Sequence, residues 1–251
     1  MMVDTKSTEM PSRVKASTPF GTTCFVGLRA ADIYLQYYLI KKGGAAKLLS
    51  LLGLQTISIS NTSYADILVG LTALGSLKQI FWVLNISENE MPTGQAFQIG
   101  IANTIFASVN AFLASWATSS LASTSGLLLS DASVTQELSK NPILGAAVAM
   151  YVLGIAIETV SELQRKSFKA DAKNKGKPYA GGLFGFARHI NYSGYAVWRA
   201  ANALAAGGFT SAAVVFSFFT HNFISNSIPA LDKVSVPRKD VDIPLTSVLV
   251  L

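Results

Sequence analysis

Four stretches of this chain each run for close to a bilayer's thickness with few ionisable groups inside them. They are Ala65 to Ile86, Phe97 to Ala117, Ile143 to Val160 and Ala196 to Phe219. A hydrocarbon core about 30 Å thick is crossed by about 20 mostly apolar residues in helix. Helices satisfy their own backbone polar groups, which an open sheet in lipid cannot do. The stretches therefore predict an all-α, polytopic transmembrane helical bundle. Only 14% of the residues are charged, against roughly 25% in a soluble domain, so much of the surface must face lipid.

Two weaker segments precede these four. Thr22 to Ile40 is apolar and aromatic but carries Arg29 and Asp32, which share a helical face and can pair. Leu48 to Ile59 is too short to span and reads as interfacial. The expected total is about four to six spans. In the fourth stretch, Gly207 and Gly208 mark either a bent helix or a tight hairpin.

Basic residues orient the chain. Between Glu162 and Arg188 there are seven Lys or Arg against two acids, Glu162 and Asp171, and such segments stay in the cytosol. The first residues, 1–21, also carry Lys6, Arg13 and Lys15 and read as a flexible cytosolic tail without a secretory signal. Both segments share one side only if an even number of spans separates them. Thr22 to Ile40 is therefore expected to cross, placing Lys41, Lys42 and Lys47 on the far side.

Other classes are disfavoured. No basic run is interleaved with stacking aromatics, so nucleic acid is not an expected partner. The single cysteine, Cys24, excludes an internal disulfide and any zinc site built from several thiolates. No Gly-x-Gly-x-x-Gly follows a strand signal, so no Rossmann domain is expected. The expected divisions are the tail 1–21, N-terminal helices 22–157, a C-terminal domain 158–232 and an atypical tail 233–251.

The stretch from Glu158 to Arg199 carries the chemistry. Glu158 ends the third apolar segment, and Arg165 and Lys169 follow four apart, on one helical face. Such a basic face suits nucleotide phosphates or anionic lipid headgroups equally. Next comes Arg188-His189-Ile190-Asn191-Tyr192-Ser193-Gly194, a fixed charge, an imidazole, an amide and a phenol just before an apolar helix. Packing alone is a poor reason for that set.

The pattern of Glu, Leu-Gln-basic, Gly-Leu and Arg-His-x-Asn-Tyr-x-Gly resembles the C-terminal domain of the steroid 5α-reductase-like superfamily. It is most similar to an uncharacterised fungal-type membrane group, related to sterol reductases and distantly to isoprenylcysteine methyltransferases. The resemblance implies a membrane enzyme of the endoplasmic reticulum that uses NADPH to reduce a C=C bond of an isoprenoid- or sterol-like lipid. By position it implies that Arg165 and Lys169 meet cofactor phosphates, that Asn191 and Tyr192 line the cofactor pocket, and that Arg188 and His189 brace it. It leaves the proton donor unassigned.

Three departures bear on that expectation. Ile190 stands where relatives commonly have Pro. Tyr195 stands where reductases commonly have a carboxylate, and an aromatic there is more like the methyltransferases, which use S-adenosylmethionine. After Asp232 the chain runs KVSVPRKDVDIPLTSVLVL and lacks the aromatics that close the pocket in relatives. Two further readings follow: a methyltransferase of the same superfamily, or a truncated or mis-spliced, non-catalytic membrane protein.

Overall fold

The computed structural model describes residues 17–125, 133–175 and 177–229. Among these there is no β-strand, only an isolated pairing of Thr56 with Trp116. The long helices are α1 (Pro19–Lys41), α3 (Ser63–Phe81), α4 (Thr93–Ser115), α7 (Pro142–Ala170) and α8 (Ile190–Asn222). Short helices α2 (Gly44–Leu51), α5 (Leu121–Ser125) and α6 (Val134–Lys140) fill the connections. Four segments are long and apolar enough to cross a membrane, Ser63–Ile86, Thr93–Ser115, Pro142–Ala170 and Ile190–Ser227.

Local chemistry sets the helix starts. The Thr62 hydroxyl accepts from the Ala65 amide at the head of α3, and Asn141 accepts from the Leu144 amide at the head of α7. Pro142 occupies the first position of α7, where a missing N–H costs nothing. A capping box of Ser133 and Gln136 starts α6.

Side-chain contacts give the direction of each helix. Lys41 reaches Asp66 and Arg29 reaches Ser76, so α1 and α3 are antiparallel. Gln36 bonds Ser108 while Gly21 lies against Met91 and Pro92, so α1 and α4 run the same way. Glu158 meets Lys78 and Tyr151 donates to the Leu71 carbonyl, so α7 runs with α3. Glu158 and Glu162 of α7 meet Trp198 and Asn191 of α8, an antiparallel pair.

The expected fourth span is a helical hairpin. In a continuous helix Tyr195 and Phe219 would stand about 36 Å apart at 1.5 Å per residue. Their ring centroids are 5.1 Å apart, and Tyr192 and Phe223 are closer still, at 4.5 Å. The reversal falls at Gly208, whose φ of 74° and ψ of −166° suit glycine alone. Carbonyls freed by a turn in lipid need donors. The Tyr64 hydroxyl, fully buried, donates to Ala205 and Ala206, and Ser211 donates to Gly207.

The chain thus folds as alternating helical segments: α1, α3, α4, α7 and the two arms of α8. α1 is 23 residues long, about 34 Å at 1.5 Å per residue, and packs along α3 and α4. Its charged groups point inward, Arg29 on Asp32 at 2.9 Å with both side chains buried, as their spacing predicts. The outer faces carry exposed Leu77, Ile101, Ile105, Leu153 and Phe209, whereas Lys78, Asn103, Glu158 and Arg199 are buried. This is the inside-out pattern of a bundle solvated by lipid.

Candidate functional site

The site lies at the end of the bundle where α3 finishes, α7 finishes and α8 begins. There α3 continues into a π-helical turn, Trp82–Ile86, and α8 into another, Phe223–Ser227. Such turns re-aim side chains and recur at functional sites. The first presents Trp82 to α7, and the second presents Phe223 to the start of α8.

Two carboxylates organise the polar part. Glu158 takes the ammonium of Lys78 and the indole N–H of Trp198, the latter at 2.7 Å. One turn on, Glu162 takes the indole N–H of Trp82, the amide of Asn191 at 3.3 Å and the guanidinium of Arg165 at 3.5 Å. Lys78 and Trp82 are four apart on α3, and Glu158 and Glu162 four apart on α7, so they form two rungs of one ladder. Gly154 and Gly194 let α7 and α8 touch there. A Cβ on Gly154 would lie 2.7 Å from the Trp198 backbone nitrogen, and one on Gly194 as close to that of Glu158.

The apolar part is a set of rings. His189 stacks on Tyr192 with centroids 5.5 Å apart, and Tyr192 stacks on Phe223 at 4.5 Å. Tyr195 stands edge-on to Phe223, Phe219 and Trp198. Its hydroxyl accepts from Arg199, Nε at 3.0 Å and Nη2 at 2.7 Å. The same Nη2 reaches Asn103, which accepts from Gln79 as well.

Of the six residues expected to bind a cofactor, the structure gathers four. Arg165 and Asn191 meet at Glu162, and His189 and Tyr192 share the ring stack. Arg165 also lies over the Phe184 ring, 5.8 Å from its centroid. Arg188 occupies the turn before α8 and is itself engaged in a contact. Lys169 is apart: it pairs with Glu88 at 3.3 Å on the exposed rim, and its neighbour Lys166 holds the Asn85 carbonyl.

Trp82 and Trp198 both donate to the central carboxylates, and neither they nor Lys78, Arg199 and Phe223 stand out in the sequence as site residues. The i, i+4 pairs of ionisable and indole groups on two apolar helices were a readable signal; the return of Phe223 onto Tyr192 was not. Among the described residues no group of three or more His, Cys, Asp or Glu could hold a metal ion. The tail after Asp232 and most of the segment 1–21 lie outside the described residues.

Lipid-facing helices around a polar, aromatic end define a polytopic membrane protein with a built interior site. The chain belongs to the DUF1295 family, whose members are described as proteins of unknown function; the match covers residues 96–240. It is also similar to the probable O-methyltransferase ustE of Ustilaginoidea virens, 30% identical over 243 residues, 91% of this chain and 83% of that protein. No solved structure matches it.

Proposed function

We propose that this protein is a membrane-embedded methyltransferase that uses S-adenosylmethionine to methylate an oxygen of a lipid-soluble acceptor. The observation that carries this reading is the Glu162 hub beneath a stack of aromatic rings. A carboxylate at the centre of a site repels the pyrophosphate of a dinucleotide but suits an ammonium, a sulfonium or ribose hydroxyls. Ring faces such as those of Tyr192, Tyr195 and Phe223 likewise attract a cation. The donor set fits S-adenosylmethionine, which when bound supplies a methyl group on a positively charged sulfur. Similarity to a probable O-methyltransferase along most of both chains supports the same reading.

In this scheme Glu162 and Asn191 bind the polar part of the methyl donor, with Trp82 holding the carboxylate in place. Tyr192 and Phe223 pack against its flat, cationic portion. Glu158, neutralised by Lys78, fixes Trp198 and thereby the angle of α8. The apolar flanks of the bundle admit the acceptor from lipid and keep water out. The basic segment 162–188 then belongs in the cytosol, where the methyl donor is dissolved, and the resemblance points to the endoplasmic reticulum membrane.

The second reading is NADPH-dependent reduction of an isoprenoid- or sterol-like lipid. Arg165, Lys166 and Lys169 at the same end of α7 favour it, since a rim of three cations suits phosphates.

One measurement separates the two. Protein in detergent is melted with S-adenosylmethionine or with NADPH at about 100 times the dissociation constant, where a bound ligand adds about 2.7 kcal/mol. S-adenosylmethionine is expected to raise the melting temperature of the wild type and to leave Glu162→Gln unmoved. Stabilisation by NADPH alone, abolished in Arg165→Ala, would replace the methyltransferase reading with the reductase one.

A further inference from the structure

Among the described residues one buried cation outside the proposed chemistry lacks a carboxylate partner. Arg199 lies on the first arm of α8, in the bundle, 8% exposed. The other buried cations have carboxylate partners: Arg29 has Asp32 and Lys78 has Glu158. Among the described residues no carboxylate comes within ion-pair distance of Arg199. Its guanidinium is instead held by neutral groups, the Tyr195 hydroxyl and Asn103. Ring faces surround it: Trp198 at 4.4 Å, Tyr195 at 5.0 Å, Phe219 at 5.6 Å and Phe106 at 5.9 Å. Nε and Nη2 are committed to these partners, while Nη1 makes no hydrogen bond among the described residues.

A charge in a membrane interior is costly and, where present, faces a partner or a pathway. Hydroxyl, amide and ring contacts compensate a guanidinium only in part, and the remaining Nη1, with its two N–H groups, can donate to an oxyanion. Four elements are spent on this cage, with Asn103 and Phe106 from α4, Gln79 of α3 holding Asn103, and both arms of the hairpin. It sits beside Tyr195, whose ring borders Phe223 and hence the Tyr192 stack.

We propose that Arg199 binds the acidic oxygen of the acceptor, so that the substrate is an apolar molecule carrying one ionised oxygen, a carboxylate or an acidic phenol. This rests on the methyltransferase reading for its consequence, though the anion site itself does not need it. The acceptor oxygen forms the new bond to the methyl carbon with its own lone pair as the carbon–sulfur bond breaks. The electron pair of that bond stays on sulfur, so an oxyanion and a sulfonium become a neutral ester or ether and a thioether. The oxygen arrives already ionised, and no proton moves in the step. Arg199 is a specificity determinant that keeps the oxygen ionised in a dry site and aims it.

The test uses para-octylbenzoate and its methyl ester with the full chain in nanodiscs of zwitterionic lipid, without S-adenosylmethionine. The acid is expected to bind the wild type more tightly than the ester. Arg199→Gln should weaken acid binding about thirtyfold or more, the usual loss when one side of a buried charge pair is removed. Arg199→Lys should recover part of it, and ester binding should be equal in all three. Should Arg199→Gln not fold, a para-octylbenzoate bearing a diazirine beside the ring is used on the wild type. Labelling within residues 195–203, competed by the acid and not by the ester, supports the assignment. Equal binding of acid and ester by the wild type, undiminished acid binding by Arg199→Gln, or labelling elsewhere overturns it. None of these outcomes depends on whether S-adenosylmethionine binds, so the two proposals fail separately.

Discussion

The Lys78–Glu158 pair shows what a single buried charge does in this bundle. Both side chains are nearly inaccessible, at 5% and 9%, and Glu158 also takes the Trp198 indole. Removing one partner leaves the other charge buried and unpaired, which costs about 3–5 kcal/mol, whereas replacing both with apolar groups of similar size is often close to neutral. Lys78→Met is therefore expected to lower stability by about that amount, and Lys78→Met with Glu158→Leu to restore most of it. Denaturant or thermal unfolding in detergent measures both. A double variant no more stable than the single one would mean that the pair's main work is to hold Trp198.

Among the helices, α8 departs furthest from its appearance in sequence. Gly208 reverses the chain with a positive φ, so a side chain there is strained whatever room surrounds it. Gly208→Ala is expected to destabilise by about 1–3 kcal/mol, the range for residues forced into sparsely populated backbone regions. Because Phe223 reaches Tyr192 only through that reversal, ligand stabilisation should weaken with it. Melting curves of Gly208→Ala with and without ligand report both effects, and a continuous helix across residues 190–222 would instead be stabilised by about 0.5–1 kcal/mol. The contact of α7 with α8 has a different basis. Gly154 and Gly194 face each other backbone to backbone, so Gly154→Val pushes the helices apart and misplaces Glu158 against Trp198. Its expected signature is a loss of ligand response larger than its loss of stability.

Taken together, the helices place the start of α1, the connection from α3 to α4, the connection from α7 to α8 and the end of the second arm of α8 at one end of the bundle. The α1–α3 and α4–α7 connections lie at the other. In sealed vesicles of a Cys24→Ser background, Asn89→Cys and Lys173→Cys should react with a membrane-impermeant maleimide from one side. Lys42→Cys and Asn61→Cys should react only from the other. Labelling of all four from a single side would show that α3 does not cross and would overturn the up-and-down order of the helices.

Much of this arrangement was legible in the chain. The four apolar stretches largely coincide with the helices long and apolar enough to cross a membrane, because run length against bilayer thickness is a local property. The Arg29–Asp32 contact was readable from a spacing of three. Arg165, Asn191, His189 and Tyr192 stood out because polar residues cluster in sequence beside an apolar helix, and the fold keeps them at one end of the bundle.

What the chain alone did not disclose depends on which helix faces which. Glu162 looked like one acid in a basic loop until Trp82, some eighty positions earlier, was seen donating to it. Tyr195 read as a missing carboxylate, and only the packing of α4 on α8 shows it gripping Arg199. Phe223 joins the site because one glycine turns the last helix back on itself. Periodicity and composition describe each segment against water or lipid, so they establish that these helices form and lie in a membrane. The partners of a buried charge are chosen by long-range packing, which places side chains distant in sequence within a few ångströms, and no local pattern encodes that choice.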